Sequence, residues 1–386
     1  MDMLQYVNGN RISLKPSGIR LFAQKAAERE GCISLTLGEP DFETPLPVKD
    51  AAKRALDENM THYSPNSGYM SLRQAIADFE REKKGLSYRP EEIIVTAGAT
   101  EALNIALGTV LEAGDEVIIP VPAFGLYASI VEMYGGRPVY VDTSSSGFQL
   151  DADALCRAIS PRTKAIVLNS PNNPTGAVYT KETMDAVHEL LHELPVFVIC
   201  DEVYDQLTFD DGRGTFAAFD DMRDRIIVVQ SFSKPYAMTG WRAGYVMADL
   251  PLTKIMELVH QFSVVSVPSF IQPACEEALN WDASPMRVSI KQRSRYVCER
   301  LAAMGLPVTE PMGTFYLFPE IREFGMDSET FCLKLIGEEG LALTPGSCFQ
   351  GEGFVRISCC YPMEVLEKGM ERLAKFAARL RENGQQ

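Results

Sequence analysis

From about Glu91 the chain alternates short, continuously apolar runs with longer stretches of helical periodicity. The apolar runs fall at 92–97 (EIIVTA), 115–120 (DEVIIP), 137–142 (RPVYVD), 163–170 (TKAIVLNS), 196–200 (VFVIC), 225–231 (RIIVVQS) and 243–248 (AGYVMA). Between them lie helical patterns such as 98–111 (GATEALNIALGTVL) and the stretches around Ala128 and Asp185. Apolar strands without a polar face, spaced by amphipathic helices, predict an α/β domain whose mostly parallel sheet is covered on both sides. From about Ser284 the pattern changes to a long charged helix (288–305), short strands at 313–318 and 353–358, and a final helix. That reads as a smaller α+β domain. The expected division is residues 46–283 for the large domain and 284–386 for the small one, with the N-terminal segment 1–45 contributing to the small domain.

Composition narrows the class. At 386 residues the chain is too long for one typical core. A formal net charge of −15 argues against nucleic acid or an anionic membrane as partner. The N-terminus carries no apolar signal core, and no apolar run is long enough to span a bilayer. Nine irregularly spaced cysteines, several in apolar segments, read as reduced cytoplasmic thiols and not as a disulfide framework.

Parallel sheets place ligand groups on the loops at the carboxyl ends of their strands, and those loops hold the candidate chemistry. After the first run, Thr96-Ala97-Gly98-Ala99-Thr100 enters a helix directly, which suits either an anion at the helix end or an ordinary tight turn. After 196–200 come Asp201, Glu202, Val203 and Tyr204. The acids are either a helix cap or, at Asp201, the partner of a buried cationic ring nitrogen. After 225–231 comes Ser233-Lys234, with Gly240-Trp241-Arg242 close behind. A loop lysine ordinarily points into water. At a sheet mouth with an arginine nearby, its pKa falls and a neutral amine able to form a Schiff base becomes available. Ser231, Ser233 and Arg242 together suit a phosphate.

The stretch Ser-Phe-Ser-Lys-Pro-Tyr-Ala-Met-Thr-Gly-Trp-Arg-Ala-Gly-Tyr (231–245) resembles the cofactor-lysine signature of the class I/II aminotransferases. Residues 169–176 (NSPNNPTG) match that family's Asn-Pro-x-Gly turn, and 37–42, 61–63, 345–347 and 353–358 resemble its other blocks, in family order. The resemblance implies fold type I (aspartate aminotransferase-like) and pyridoxal 5′-phosphate bound to Lys234, which also shuttles the reaction's proton. It further implies that Asp201 faces the ring nitrogen, Asn173 and Tyr204 its phenolic oxygen, and Phe124 its face. Ala99, Thr100, Ser231, Ser233 and Arg242 would hold the phosphate, and Tyr63 would reach that of the neighbouring subunit in a homodimer. Arg356 would clamp the substrate α-carboxylate with help from Gly38 and Asn173.

The expected reaction moves the α-amino group of an L-amino acid to a 2-oxo acid, 2-oxoglutarate by family habit, in two half-reactions. The amino acid would be aspartate, aromatic or diaminopimelate-like, with Lys15 or Arg20 as candidate readers of a distal carboxylate. A carbon–sulfur β-lyase on the same scaffold is the alternative, and a non-catalytic sensor domain a further one. A competing motif stands at His188-Glu189-Leu190-Leu191-His192, a literal H-E-x-x-H of zinc hydrolases. No third ligand follows it and Pro195 ends its helix, so the reading for it is two solvated histidines and no metal.

Overall fold

The computed structural model describes residues 3–12, 14–210 and 214–384. The outermost residues of the two end segments, 1, 2, 385 and 386, lie outside them. The apolar runs become seven strands of one sheet: β1 (Ile93–Thr96), β2 (Glu116–Val121), β3 (Arg137–Asp142), β4 (Thr163–Asn169), β5 (Phe197–Asp201), β6 (Ile226–Ser231) and β7 (Gly244–Ala248). Their order is β1-β7-β6-β5-β4-β2-β3. All neighbours run parallel except β7, which is antiparallel to both β6 and β1. The strands β1, β2, β6 and β7 are buried along their whole length, as continuous apolar runs require. The outer strand β3 has exposed positions and a proline, which suits an edge.

Helices cover both faces. Among them are α1 (Met70–Lys84), α2 (Ala99–Val110), α3 (Leu126–Met133), α4 (Lys181–Leu191) and α5 (Leu250–Val264). One core contains Leu72 and Ile76 of α1 with Val187 and Leu191 of α4. The other contains Ala102, Leu103, Ile105, Ala106 and Leu107 of α2 with Tyr127, Ile130 and Val131 of α3. Apolar on nearly all sides, α2 lies between the sheet and α5. Each fully buried Leu or Ile there contributes about 1.5–3 kcal/mol relative to exposure.

The rest of the chain forms a separate core around short strands. Ile33–Ser34 pairs in parallel with Leu341–Ala342, and Val355–Ser358 pairs antiparallel with both Thr344–Pro345 and Tyr316–Leu317. The helices α7 (Ser328–Glu339) and α8 (Met363–Gly384) close over them. The helix α6 (Ser284–Ala303) joins the two parts. Its Met286 and Ile290 belong to the core with α2, and its Val297 and Leu301 to the core of the short strands.

Candidate active site

Sheet register sets the site. Asn169 pairs with Asp201 across β4 and β5, while Ser231 and Thr96 both pair with Gly244, so the loops that follow these strands lie along one edge. Lys234 sits on the loop after β6 and donates to the Gly38 carbonyl at 2.7 Å. Its ammonium lies 5.8 Å from the centre of the Phe315 ring. Burial depresses its pKa, and the nearby guanidinium groups of Arg356 and Arg242 act in the same direction. Gly38 leaves room for nothing larger, since a Cβ there would stand 1.6 Å from the Tyr316 hydroxyl.

Asp201, at the end of β5, is buried. Its Oδ2 accepts the Tyr127 hydroxyl at 2.5 Å and its Oδ1 the Val203 amide at 3.3 Å. Burial nevertheless raises its pKa from 3.8 to about 6, against those two hydrogen bonds. Tyr204 is buried two residues beyond Glu202, with its hydroxyl 3.4 Å from that of Tyr316 and its ring edge-on to Phe315. Phe124 is half-buried and meets Tyr127 edge-to-face at 6.1 Å, which connects its loop to Asp201.

Arg356 is about 1% exposed, the largest of the fully buried side chains. It lies on the strand Val355–Ser358, donates to Asn173 Oδ1 at 2.8 Å and to the Thr36 carbonyl at 2.5 Å, and its Nε has no partner among the described residues. The rings of Tyr316 and Phe349 lie 4.2 and 4.8 Å from its guanidinium carbon. Among the described residues no carboxylate pairs with it. Asn173 is held by its own amide, which donates to Asn169 Oδ1 at 2.9 Å. With its Oδ1 engaged by Arg356, its Nδ2 remains a donor.

The phosphate candidates surround the turn before α2. Gly98 caps the helix with φ +81°, and a Cβ there would be 2.6 Å from Arg242 Nη2. The amides of Ala99 and Thr100 open the helix and have no intrahelical acceptor. Arg242 donates to the Thr239 and Ala97 carbonyls at 3.0 and 3.3 Å. Ser231 and Ser233 are buried, and the Ser233 amide donates to Ser231 Oγ at 3.0 Å. Tyr63 is not brought into this group: it is 87% exposed on the surface of the chain.

Tyr127 and Tyr316 escaped the sequence reading. A tyrosine among the mostly apolar residues 126–131 needs a partner for its hydroxyl once buried, and that was the available signal. Tyr316 gave none. Of the distal-carboxylate candidates, Lys15 lines a cavity of about 250 Å³ with Phe124, Tyr140, Cys348 and Gln350, whereas Arg20 is exposed and outside that lining. Around His188 the reading needs correction. His188 is half-buried, not solvated: it stacks on Phe219 at 4.1 Å and shares Nε2 with Asp221 at 2.8 Å. His192 is exposed, with Nδ1 2.9 Å from the Glu189 carbonyl. The four-residue spacing stacks the imidazoles on one another at 5.4 Å. Among the described residues no group of three or more His, Cys, Asp or Glu is placed to hold a metal ion.

The donors and acceptors fit pyridoxal phosphate. A buried carboxyl with a raised pKa gains most from a cation beside it, which a protonated ring nitrogen supplies. A depressed lysine, a helix start with open amides beside an arginine, and an orphaned guanidinium nitrogen complete a set for an aldehyde, a phosphate and a carboxylate.

The family model for aminotransferase class I and II matches residues 30–373. A probable N-acetyl-LL-diaminopimelate aminotransferase of Bacillus subtilis is 43% identical over 98% of each chain. An aromatic-amino-acid aminotransferase of Thermococcus litoralis is 39% identical over 97% of each chain. An aspartate aminotransferase of Thermus thermophilus, solved with maleate, superposes with a TM-score of 0.91 at 37% identity, covering 96% of this chain and 99% of that one.

Proposed function

Because the chain belongs to the class I and II aminotransferase family, it is a transaminase, and we propose that it uses pyridoxal phosphate on Lys234. The donor is an L-amino acid of the aspartate, aromatic or diaminopimelate type and the acceptor a 2-oxo acid, 2-oxoglutarate first among them. The observation that carries the reading is Arg356: a buried guanidinium without a carboxylate partner among the described residues, fixed beside Asn173 and near enough to Lys234 for its charge to act on it.

Pyridoxal phosphate, when bound, supplies an electron sink for the pair left by the departing α-proton. The protein's own residues do the rest. Arg356 binds the substrate carboxylate through its planar fork. Lys234 Nζ, its basicity lowered by burial, takes the proton from the α-carbon and returns one. Asp201 keeps a proton on the ring nitrogen, and Tyr127 and Val203 hold its carboxylate in one orientation. Asn173 Nδ2 and the Tyr204 hydroxyl serve the phenolic oxygen, and Phe124 covers the ring. Ala99, Thr100, Ser231, Ser233 and Arg242 bind the phosphate. Substrate contacts also come from the Gly38 backbone.

The functional unit in this reading is a homodimer in which Tyr63 serves the neighbouring phosphate. Its high exposure, next to exposed His62, supports that role. The same reading divides the chain into 46–283 and a small lobe from 1–45 and 284–386, which the separate core around the short strands supports. Free cysteines throughout the described residues agree with a cytoplasmic setting, and no described helix is long and apolar enough to cross a membrane. Lys15, at the rim of the cavity beside Phe124, favours a substrate with a distal carboxylate, in keeping with the maleate of the Thermus enzyme.

The test is the visible spectrum of the protein loaded with pyridoxal phosphate. The expected result is a yellow band that bleaches on adding an amino donor and returns with 2-oxoglutarate. Release of pyruvate and ammonia from cystathionine without any 2-oxo acid would instead establish a lyase. A protein that stays colourless would sink the cofactor assignment.

A further inference from the structure

A pair of ionisable side chains lies in the interior outside the chemistry described above. His260, on α5, is fully buried, and both its ring nitrogens are engaged. Its Nδ1 is 2.6 Å from Glu101 Oε1 and its Nε2 is 2.8 Å from the Asn66 carbonyl. Glu101 stands in the first turn of α2, and its second oxygen accepts the Ala97 amide at 2.5 Å. The Ala97 carbonyl in turn accepts from Arg242 at 3.3 Å. A continuous line therefore runs from Asn66 through His260 and Glu101 to Ala97 and Arg242. The segment at its Asn66 end is held twice, because Ser67 also donates to Glu257 of α5 at 2.5 Å.

A carbonyl and a carboxylate are both acceptors, so the imidazole has to place a proton toward Asn66, and a second proton lies in its contact with Glu101. Burying such a pair offers little net stability, since apolar side chains of similar volume serve as well or better. What apolar groups cannot do is hold one particular N–H and one particular C=O in fixed directions. The two backbone groups held here belong to the turn before α2 and to the segment that carries Tyr63.

We propose that His260 and Glu101 form a positioning strut that sets the Thr96–Thr100 turn for phosphate and braces it against residues 63–67. The proposal rests on the reading of that turn as the cofactor's phosphate site. Neither residue touches the reacting atoms. In the dimer proposed above, the strut joins each phosphate turn to the segment serving the other subunit's phosphate.

The test titrates the apoprotein with pyridoxal phosphate, with pyridoxal, and with inorganic phosphate, following fluorescence and thermal stabilisation. In Glu101→Ala the dissociation constant for pyridoxal phosphate is expected to rise about tenfold or more, and that for pyridoxal by less than about twofold. Stabilisation by inorganic phosphate is lost with it. Glu101→Gln is expected to restore phosphate affinity, because its amide oxygen can accept from Ala97 while its NH₂ donates to a neutral His260. If Glu101→Ala does not accumulate as folded protein, Glu101→Asp, one methylene shorter, carries the same expectation at smaller size. Equal losses for pyridoxal and its phosphate, no loss at all, or a Gln variant as impaired as the Ala one would each overturn the strut. If the wild-type apoprotein bound neither phosphate nor pyridoxal phosphate, the phosphate reading of the turn would fall first.

Discussion

Lys84 and Arg356 are both cations drawn out of solvent, and their surroundings are opposites. The Lys84 ammonium lies 2.6 Å from Asp205, 3.0 Å from Glu80 and 3.1 Å from Glu202. Burial by itself would depress its pKa, but Asp205, Glu80 and Glu202 together hold it well above the usual lysine value. Arg356 has two acceptors, both neutral, and an idle Nε. One cation has three carboxyl partners from its own chain, one of which, Glu80, burial pushes toward its neutral form. The other is kept fixed and uncompensated. The difference separates scaffold from site: a buried charge whose partners come from its own chain is finished on folding, whereas one without them waits for an anion from outside.

The contrast can be tested from both ends. Arg356→Ala is expected to lower kcat/KM for the amino acid by about 10³–10⁴-fold, in line with losing a buried charge-assisted pair with substrate. Steady-state kinetics with both substrates check this, and thermal unfolding of the same variant should show a smaller loss than that of Lys84→Met. Lys84→Met should do the reverse. Stranding three carboxylates costs about 3–5 kcal/mol of stability, read as a lower denaturation midpoint, with a much smaller effect on activity per folded molecule. Arg356→Ala unfolding as readily as Lys84→Met would erase the distinction.

Asp201 gives an intermediate case, because its charge is also left for a ligand to balance. Its pKa is raised from 3.8 to about 6, so the folded apoprotein binds a proton that the unfolded chain releases between those values. Its contribution is therefore fully present below about pH 4 and declines as pH rises to 6, by about 3 kcal/mol in all. Denaturation of apoprotein across that range should show the decline, and Asp201→Asn should flatten it while sharply reducing transamination. The smallest expected effect belongs to Tyr127→Phe. Removing the 2.5 Å hydrogen bond to Asp201 should weaken cofactor binding about tenfold, measured by titrating the apoprotein.

What was legible in the sequence was whatever is local or periodic. Apart from the edge strand β3, the apolar runs became strands of the sheet because strands buried on both faces tolerate no polar alternation. The loops after β5 and β6 could be located because strand ends collect ligand groups. The reversed direction of β7 was hidden, since a buried strand reads alike in either sense. Arg356 stood out only through the family resemblance, and nothing in 353–358 hints that its guanidinium is unpaired. Contacts that span the chain were unreadable: Tyr127 with Asp201 is 74 residues apart, and His260 with Glu101 is 159. Such pairs follow from how helices settle on a sheet, which no local pattern records. The H-E-x-x-H stretch shows the converse, a local pattern whose histidines are engaged by Phe219, Asp221 and backbone carbonyls.

The bond from Arg356 to the Thr36 carbonyl spans 320 residues, and the parallel pairing of Ile33–Ser34 with Leu341–Ala342 spans nearly as many. A growing chain leaves the ribosome N-terminus first, so the large sheet can be complete while residues 33–36 still lack both their strand partner and their arginine. Contacts of such separation carry the largest closure cost and form late. The half of the pocket proposed to bind the carboxylate is therefore assembled after the strand that ends in Asp201 and the loop that carries Lys234. A stalled or truncated nascent chain would hold the sheet-edge half of the pocket without the means to grip an amino acid.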